Sequence, residues 1–305
     1  MIAGSELPDF IEVRDKTQKV LGSEWNFKTF KGVYLKIMKV LQNPTSSAKD
    51  LSKIIAEDQG LSTRTLQIIN SAYFGLRNHV TDLTQAIALI GFEMLKRVAF
   101  NVAVFEAFPA RSKLSLIRLW RNALGVAKMS ELLAKELRHL PGEAYTVGLL
   151  HHIGKYLVCS LNEDKYFQTL LYKKNNGCSD LEAEIQVLGV SHSEIGYAVA
   201  KHWQLPDMIA ESIARHHAKF TEDQKKLPHA HYLAQVVSLA DAICAHLGLG
   251  TEDTPIYVRP ADIIRRIPLE DYRNLYFERE ALFNVIGEGE SLMKEIDQLL
   301  ELLHF

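Results

Sequence analysis

The sequence predicts an all-α protein, and three observations support this fold class. Apolar residues recur at helical spacing, as in Leu51, Ile54 and Ile55, and similar runs occur along the whole chain. No segment combines sustained alternation of apolar and polar residues with the β-branched enrichment that is typical of strands. Residues that cap helices precede many of the apolar runs, and prolines lie between the runs.

In the first third of the chain, side chains that cap or turn mark the helix boundaries. Ser47 and Asp50 form the Ser-x-x-Asp pattern of a capping box, which predicts a helix directly after Ser47. Thr81 is the predicted N-cap of a later helix. Asn70 and Gly75 lie in a stretch that we expect to end one helix and begin a loop, because asparagine caps and turns and glycine adopts left-handed backbone conformations.

The later helices follow the same rules. Ser179 and Glu182 form a second capping-box pattern, and Ser191 is a further predicted N-cap. The last predicted helix, at about residues 289–303, is amphipathic, so its apolar face must pack against another surface. That surface belongs either to the same chain or to a second copy in a homodimer, and the sequence leaves both open.

We predict four segments along the chain. A boundary falls near Pro109, between a block of short helices and the block that carries the candidate site, and a Gly-, Pro- and Thr-rich stretch from Gly248 is expected to be a loop. The predicted segments are an N-terminal leader (1–26), an N-terminal helical subdomain (27–110), a helical domain (111–248) and a C-terminal helical segment (249–305).

Composition and charge exclude several classes of protein. The chain has 305 residues, of which 47% are hydrophobic and 24% charged, as in ordinary folded proteins. Its formal net charge of −2 does not favour binding to nucleic acid or to an anionic membrane. Acidic residues near the N-terminus argue against a secretory signal, and no run approaches the roughly 18 apolar residues of a membrane span. The cysteines, Cys159, Cys178 and Cys244, are odd in number and far apart, so we predict reduced thiols in a cytoplasmic protein.

Five of the twelve histidines, together with one later aspartate, form a candidate metal site. The candidates are His151, His152, His192, His216, His217 and Asp241. A neutral imidazole is the commonest ligand of transition metals, and a buried carboxylate beside histidines is costly unless it meets a cation. One ion needs three or four such groups that converge from separate helices. Two His-His pairs and a later aspartate are an uncommon combination on a helical chain, which favours a shared site over unrelated histidines.

Two groups of residues carry a resemblance to a known family. The segment Leu150-His151-His152-Ile153-Gly154-Lys155 resembles the mark of the HD phosphohydrolase superfamily, an adjacent His-Asp followed by Ile-Gly-Lys. Further stretches resemble the HDOD family, the HD-related output domain of bacterial signalling proteins. They are Asn70-Ser71-Ala72-Tyr73-Phe74-Gly75, Ala86-Ile87-Ala88-Leu89-Ile90-Gly91 and Trp203-Gln204-Leu205-Pro206. The resemblance covers about residues 27–247. It implies an HD-superfamily-like helical domain with an N-terminal helical subdomain, in which the candidate ligands share one pocket.

The sequence departs from the HD pattern at two ligand positions. Asn122 stands where the pattern has its first histidine, and His152 stands where it has the paired aspartate. A two-metal phosphohydrolase needs a carboxylate that bridges both ions, whereas a neutral histidine offers one lone pair and no charge. We therefore expect that the site, if it binds metal, holds one transition metal ion, and the His-rich set favours Zn, Fe or Ni over Mg. The resemblance also suggests that Lys155 contacts phosphate; an exposed helix lysine is the alternative.

The function predicted from these residues is regulatory. We expect a non-catalytic or weakly catalytic output module of bacterial signal transduction, with a degenerate HD metal site and no catalytic residue. Its predicted partner is a signalling protein that the sequence does not identify. One alternative is a metal-dependent phosphohydrolase that retains a mononuclear site, and a second is a dimerisation scaffold.

Overall fold

The computed structural model describes residues 7–22, 36–37, 39–40, 43, 45–71, 74–106, 113–219, 228–251 and 258–302. The regular elements in these ranges are all helices, which confirms the all-α prediction. In the same ranges, no helix is long and apolar enough to cross a membrane. The chain divides into two compact units, the first of residues 1–25 and 111–296 and the second of residues 26–110 and 297–305.

The described part of the chain folds into α-helices and one short 3₁₀ helix. In chain order they are α1 (Phe10–Leu21), α2 (Ala48–Ala56), α3 (Gln59–Ile69), α4 (Leu83–Ile90), α5 (Phe92–Glu106), α6 (Lys113–Glu136), α7 (Pro141–Leu150), α8 (Ile153–Leu161), α9 (Glu163–Asn176), α10 (Asp180–Leu188), α11 (His192–His202), α12 (Asp207–Arg215), α13 (His229–His246), α14 (Pro260–Arg266), the 3₁₀ helix (Leu269–Leu275), α15 (Arg279–Gly287) and α16 (Gly289–Leu302).

Most of the predicted helix caps are confirmed. Ser47, Ser179 and Ser191 each form a complete capping box, in which the serine hydroxyl accepts from the N3 backbone and the N3 carboxylate accepts from the serine backbone. The cap predicted at Thr81 is wrong. The helix begins one residue later, because Asp82 has the extended backbone of an N-cap and its Oδ1 accepts from the backbone N–H of Gln85 at 2.8 Å.

The second unit contains α2 to α5, whose core includes the fully buried Leu51 and Leu95. Asn70 ends α3, and its amide donates to the carbonyl oxygens of Leu66 and Val80 while its Oδ1 accepts from the Val80 backbone at 2.6 Å. Gly75 has a φ of +55°. The predicted structural role of this stretch is therefore confirmed. Ala72, Tyr73 and the boundary near Pro109 lie outside the described residues.

The first unit is built around the long helix α6, which packs along α7 and α13. Helix α11 packs against α8 and α12, so the segments that carry the candidate ligands surround one region. The ring of Trp120 on α6 stacks on Tyr156 of α8 with centroids 4.2 Å apart. The Tyr156 hydroxyl donates to the Leu119 carbonyl at 2.6 Å, which fixes α8 against α6.

Both ends of the chain contribute helices to the first unit. Helix α1 lies in the predicted leader and packs against α8 and α11. In the final helix, Leu292 and Ile296 are buried, and Glu295 pairs with Lys128 of α6 at 3.1 Å. This part of the predicted amphipathic helix therefore packs within the chain, whereas Leu303 lies outside the described residues. The homodimer stays a prediction.

Candidate metal centre

The six candidate ligands lie together in the first unit, and most of them occupy helix ends. His151 ends α7 and His152 precedes α8, so this pair sits in the tight turn between two helices. His192 is the first residue of α11, and His216 caps the C-terminus of α12, with His217 next to it. Asp241 lies within α13. The five imidazole rings are close neighbours, with measured centroid separations from 3.7 to 6.3 Å.

Backbone carbonyls determine the tautomers of His151 and His216. The Nδ1 of His151 lies 2.7 Å from the Gly148 oxygen, and the Nδ1 of His216 lies 2.7 Å from the Ile213 oxygen. A carbonyl oxygen only accepts hydrogen bonds, so each Nδ1 must carry the proton. In the neutral ring the Nε2 then holds a lone pair, and both of these atoms point into the cluster.

His192 is held by a buried carboxylate that the sequence interpretation overlooked. Glu184 accepts from the His192 backbone N–H at 2.8 Å and from its Nδ1 at 2.6 Å. Burial raises the pKa of Glu184 to about 7, although the Lys155 ammonium and the His192 backbone N–H favour its charged form. A carboxylate behind a ligating histidine orients the ring and increases its basicity. No sequence motif links Glu184 to His192, because Glu184 lies on α10 and a glycine turn separates it from His192.

The Nε2 atoms of three histidines lie closer together than the lone pairs of neutral rings would favour. The Nε2 atoms of His192 and His216 are 3.2 Å apart, and neither carries a proton that could form a hydrogen bond between them in the neutral tautomers. The Nε2 of His217 lies 3.1 Å from that of His192. Two nitrogen ligands on a tetrahedral ion are about 3.3 Å apart if each bond is about 2.0–2.1 Å long. These separations therefore fit a cation between the rings.

Two further lone pairs lack a hydrogen-bond partner. The Nε2 atoms of His151 and His152 are buried and unpaired among the described residues. Such an arrangement is costly unless a cation or proton satisfies it. Burial, followed by nearby positive groups, lowers the pKa of four cluster histidines, to about 3 for His217. The rings of His152, His192, His216 and His217 are thus neutral at pH 7, which is the ligating form. The donor set of this structure fits a transition metal ion.

Asn122, which stands where the HD pattern has its first histidine, uses its side-chain amide for three hydrogen bonds. Its Nδ2 donates to Asp241 Oδ1 at 3.0 Å and to the Leu249 carbonyl at 3.1 Å. Its Oδ1 accepts from His152 Nδ1 at 2.9 Å. Burial alone would raise the pKa of Asp241, but the neighbouring His151 ring and the hydrogen bond from Asn122 hold the pKa below its ordinary value, so the carboxylate is ionised.

The candidate ligands form two overlapping sets whose ligand atoms lie within 4.8 Å of one another. The four-histidine set contains His152, His192, His216 and His217, and the carboxylate set contains His151, His152 and Asp241. Among the described residues, His152 is the one ligand common to both sets.

A cavity of about 520 Å³ reaches the cluster and is rich in lysine. Its wall includes Lys155, Lys173, Lys174, Asp180, Glu184 and His192. Lys155 is buried, unlike the exposed helix lysine that the sequence left open, and its ammonium lies 2.5 Å from Asp180 Oδ2. Lys173 pairs with the other oxygen of Asp180 at 2.6 Å. One carboxylate therefore holds two of the three ammonium groups at this wall, and contact of Lys155 with phosphate stays a prediction.

Comparisons with known proteins agree with this fold. The HDOD domain profile matches residues 27–219. An HDOD domain protein with unknown function from Geobacter sulfurreducens has a TM-score of 0.75 at 22% identity, covering 95% of this chain and 97% of that chain. A Marinobacter aquaeolei VT8 protein described as a candidate signal transduction protein has a TM-score of 0.80 at 16% identity, covering 98% of this chain and 67% of that one.

One curated relative is an uncharacterised protein of Treponema pallidum (strain Nichols). It is 25% identical over 230 residues, which cover 73% of this chain and 43% of the relative. The match thus spans less than half the length of that relative.

Proposed function

The chain belongs to the HDOD family, and we propose that it is a regulatory output module that holds one transition metal ion and does not hydrolyse phosphoesters. The observation that carries this proposal is the composition of the cluster: four histidines bring their ligand atoms within 4.8 Å of one another, but only one carboxylate lies among the candidate ligands. His-rich ligand sets favour Zn, Fe or Ni.

The same composition argues against hydrolysis by two metal ions. In such enzymes a carboxylate shares its two oxygens between the ions, and the ions generate and position the attacking hydroxide. His152 occupies the shared position in this chain, with one lone pair. The chain's own residues hold four helix ends, those of α7, α8, α11 and α12, around one donor set, in which His151, His152, His192 and His216 are buried.

The support for a regulatory role is the similarity of this chain to other proteins. The Marinobacter protein with the same fold is described as a candidate signal transduction protein, and the HDOD family is the HD-related output domain of bacterial signalling proteins. The proposed partner is a signalling protein. We place the module in the cytoplasm, since its three cysteines are free thiols and two of them are buried.

The second candidate function is hydrolysis of a phosphoester at a mononuclear site. The observation that favours it is the lysine-rich cavity beside His192, which is large enough for a small anionic substrate. A single metal can lower the pKa of bound water to about 7, so loss of the second ion does not by itself abolish chemistry.

An assay with a matched pair of variants separates the two functions. Wild-type protein, purified without a His-tag, is incubated with Zn, Mn, Fe or Ni and with a chromogenic phosphodiester or a cyclic dinucleotide. We expect no turnover above that of Asp241→Ala, because the bridging carboxylate is missing. Robust wild-type turnover that Asp241→Ala abolishes would refute the regulatory proposal. Gln235→Leu, which changes a buried amide on the same helix, controls for damage to α13.

A further inference from the structure

Asn122 is buried, and both the nitrogen and the oxygen of its side-chain amide form hydrogen bonds. Both N–H groups are taken, one by the carboxylate of Asp241 and one by the carbonyl of Leu249. Because both of these partners can only accept, the amide cannot turn around without placing its oxygen against two acceptors. The Oδ1 must therefore face His152.

This orientation determines what His152 can do. Its Nδ1 must donate to the Asn122 oxygen, so its lone pair lies on Nε2, the atom that faces the cluster. His152 belongs to both ligand sets, but one lone pair can serve only one ion at a time. The two residues that depart from the HD pattern thus lie in direct contact and act on each other.

The same amide also biases the choice between the two sets. Asn122 donates to Asp241 Oδ1, which weakens that oxygen as a ligand, and it aims His152 Nε2 at the remaining histidines. The four-histidine set also gains from Glu184, which orients His192 from behind. In the carboxylate set, His151 is oriented by the neutral Gly148 carbonyl instead of a carboxylate, and its Nε2 lies 3.8 Å from Asp241 Oδ1.

We propose that Asn122 and His152 form a coupled pair that limits the cluster to one ion and places that ion among His152, His192, His216 and His217. Asn122 is the positioning residue, and His152 is the ligand. The inference rests on the proposed metal site, but it concerns the number and place of ions, whereas the regulatory proposal concerns hydrolysis. A one-ion protein with phosphodiesterase activity would refute only the regulatory proposal. An inert protein with two ions would refute the pair and the single-ion part of the proposed function, but not the regulatory role.

The test counts zinc ions per chain. Metal-free protein is titrated with Zn²⁺ in competition with a chromophoric chelator, and bound zinc is measured after gel filtration. We expect one ion in the wild type, one in His152→Asp, one in Asn122→His and two in the double variant. His152→Asp alone stays at one because its carboxylate would face the fixed Asn122 oxygen. Asn122→His alone stays at one because His152 still offers a single lone pair.

Several counts would overturn the proposal. They are zero or two ions in the wild type, two ions in either single variant, and one ion in a folded double variant. Circular dichroism shows whether each variant is folded before its ions are counted.

A second pair of variants decides the matter if the double variant does not fold. Asn122→Leu removes the acceptor for His152, and we expect zinc affinity to fall by about 10–100-fold, the usual effect of losing the group behind a ligand. Gln235→Leu makes the same change at a buried amide without a side-chain hydrogen bond among the described residues, and should leave the affinity unchanged. Cobalt(II) gives an independent readout, because a tetrahedral nitrogen site absorbs strongly in the visible range. Equal zinc affinities and equal cobalt spectra in the two leucine variants would refute a positioning role for Asn122.

Discussion

At Gly154, α8 touches the first residue of α11 with no side chain between them. A Cβ atom at this position would overlap the carbonyl oxygen of His192 and lie 2.8 Å from its carbonyl carbon. The obstacle is backbone, which cannot move aside as the end of a flexible side chain can. The glycine of the His-His-Ile-Gly-Lys segment therefore permits the approach that brings His152 and His192 into one cluster.

We expect Gly154→Ala to lower the free energy of unfolding by about 1–3 kcal/mol, as overpacking does, and to weaken zinc binding because the two histidines are forced apart. Urea denaturation and zinc titration measure the two effects. Gly142→Ala, at the start of α7, is the control, since a Cβ there would meet nothing within 4 Å. Equal stability and equal zinc affinity in the two variants would show that the close approach does not matter.

At the scale of single residues, the residue type alone does not reveal the role of Glu184 or of Asn122 in the cluster. A glutamate on an amphipathic helix is usually solvent-exposed, yet Glu184 is 5% exposed and bonded to His192. Asn122 was identified only as a departure from a pattern, whereas its role is a set of three hydrogen bonds. Both roles depend on which acceptors the fold brings within about 3 Å.

At the scale of elements, the cluster is made from helix ends. Helix ends leave backbone groups without partners, so side chains there adopt orientations that serve both backbone and ligand. His151 and His216 each bond a carbonyl three residues earlier, in the last turns of α7 and α12. The capping box of Ser191 and Glu194 then sets where α11 begins, and the first residue of that helix is His192.

Loss of this cap should affect metal binding as well as stability. We expect Ser191→Ala to cost about 1 kcal/mol of unfolding free energy and to reduce zinc affinity, because the first turn of α11 positions His192. Ser47→Ala removes the same kind of capping box from α2 in the second unit. It should cost a similar free energy and leave zinc affinity unchanged. A Ser191→Ala protein that binds zinc as tightly as Ser47→Ala would contradict the link between this cap and the site.

At the scale of the whole molecule, burying so many neutral histidines couples stability to pH. Below a pH of about 6.5, the ordinary pKa of histidine, the unfolded chain takes up protons that the folded chain does not, because the fold lowers the pKa of His152, His192, His216 and His217. Their stabilising effect is therefore present above pH 6.5 and is lost as the pH falls. Glu184 acts in the opposite direction between its ordinary pKa and about 7, but it is one group against four.

We therefore expect the free energy of unfolding of metal-free protein to decrease from pH 7 to pH 5.5, by roughly 1.4 kcal/mol per pH unit for each net proton. Urea denaturation at several pH values measures the slope. His217→Gln removes one of the imidazoles whose pKa the fold lowers, in this case to about 3, and should make the slope shallower. A slope that is flat in the wild type, or identical in both proteins, would contradict this account.

The sequence by itself determined the helical class, three of the four helix starts predicted from caps, and the choice of the six candidate ligands. Those features are local, because helical periodicity and capping boxes depend on residues three or four positions apart. Even for local features, the sequence did not distinguish between two neighbouring residues. Thr81 and Asp82 can both cap a helix, and only the backbone shows that Asp82 is the N-cap.

The tertiary structure alone decided how the ligands relate to one another. Asn122 bonds His152 across 30 positions of sequence and Asp241 across 119 positions. No periodic pattern encodes such pairs, since they form only when helices distant in sequence pack together. The tautomers of His151, His152, His192 and His216 follow from the same packing, because each is set by the acceptor behind the ring. The sequence shows an uncommon set of histidines, and only the folded chain makes them a donor set that is suited to one ion.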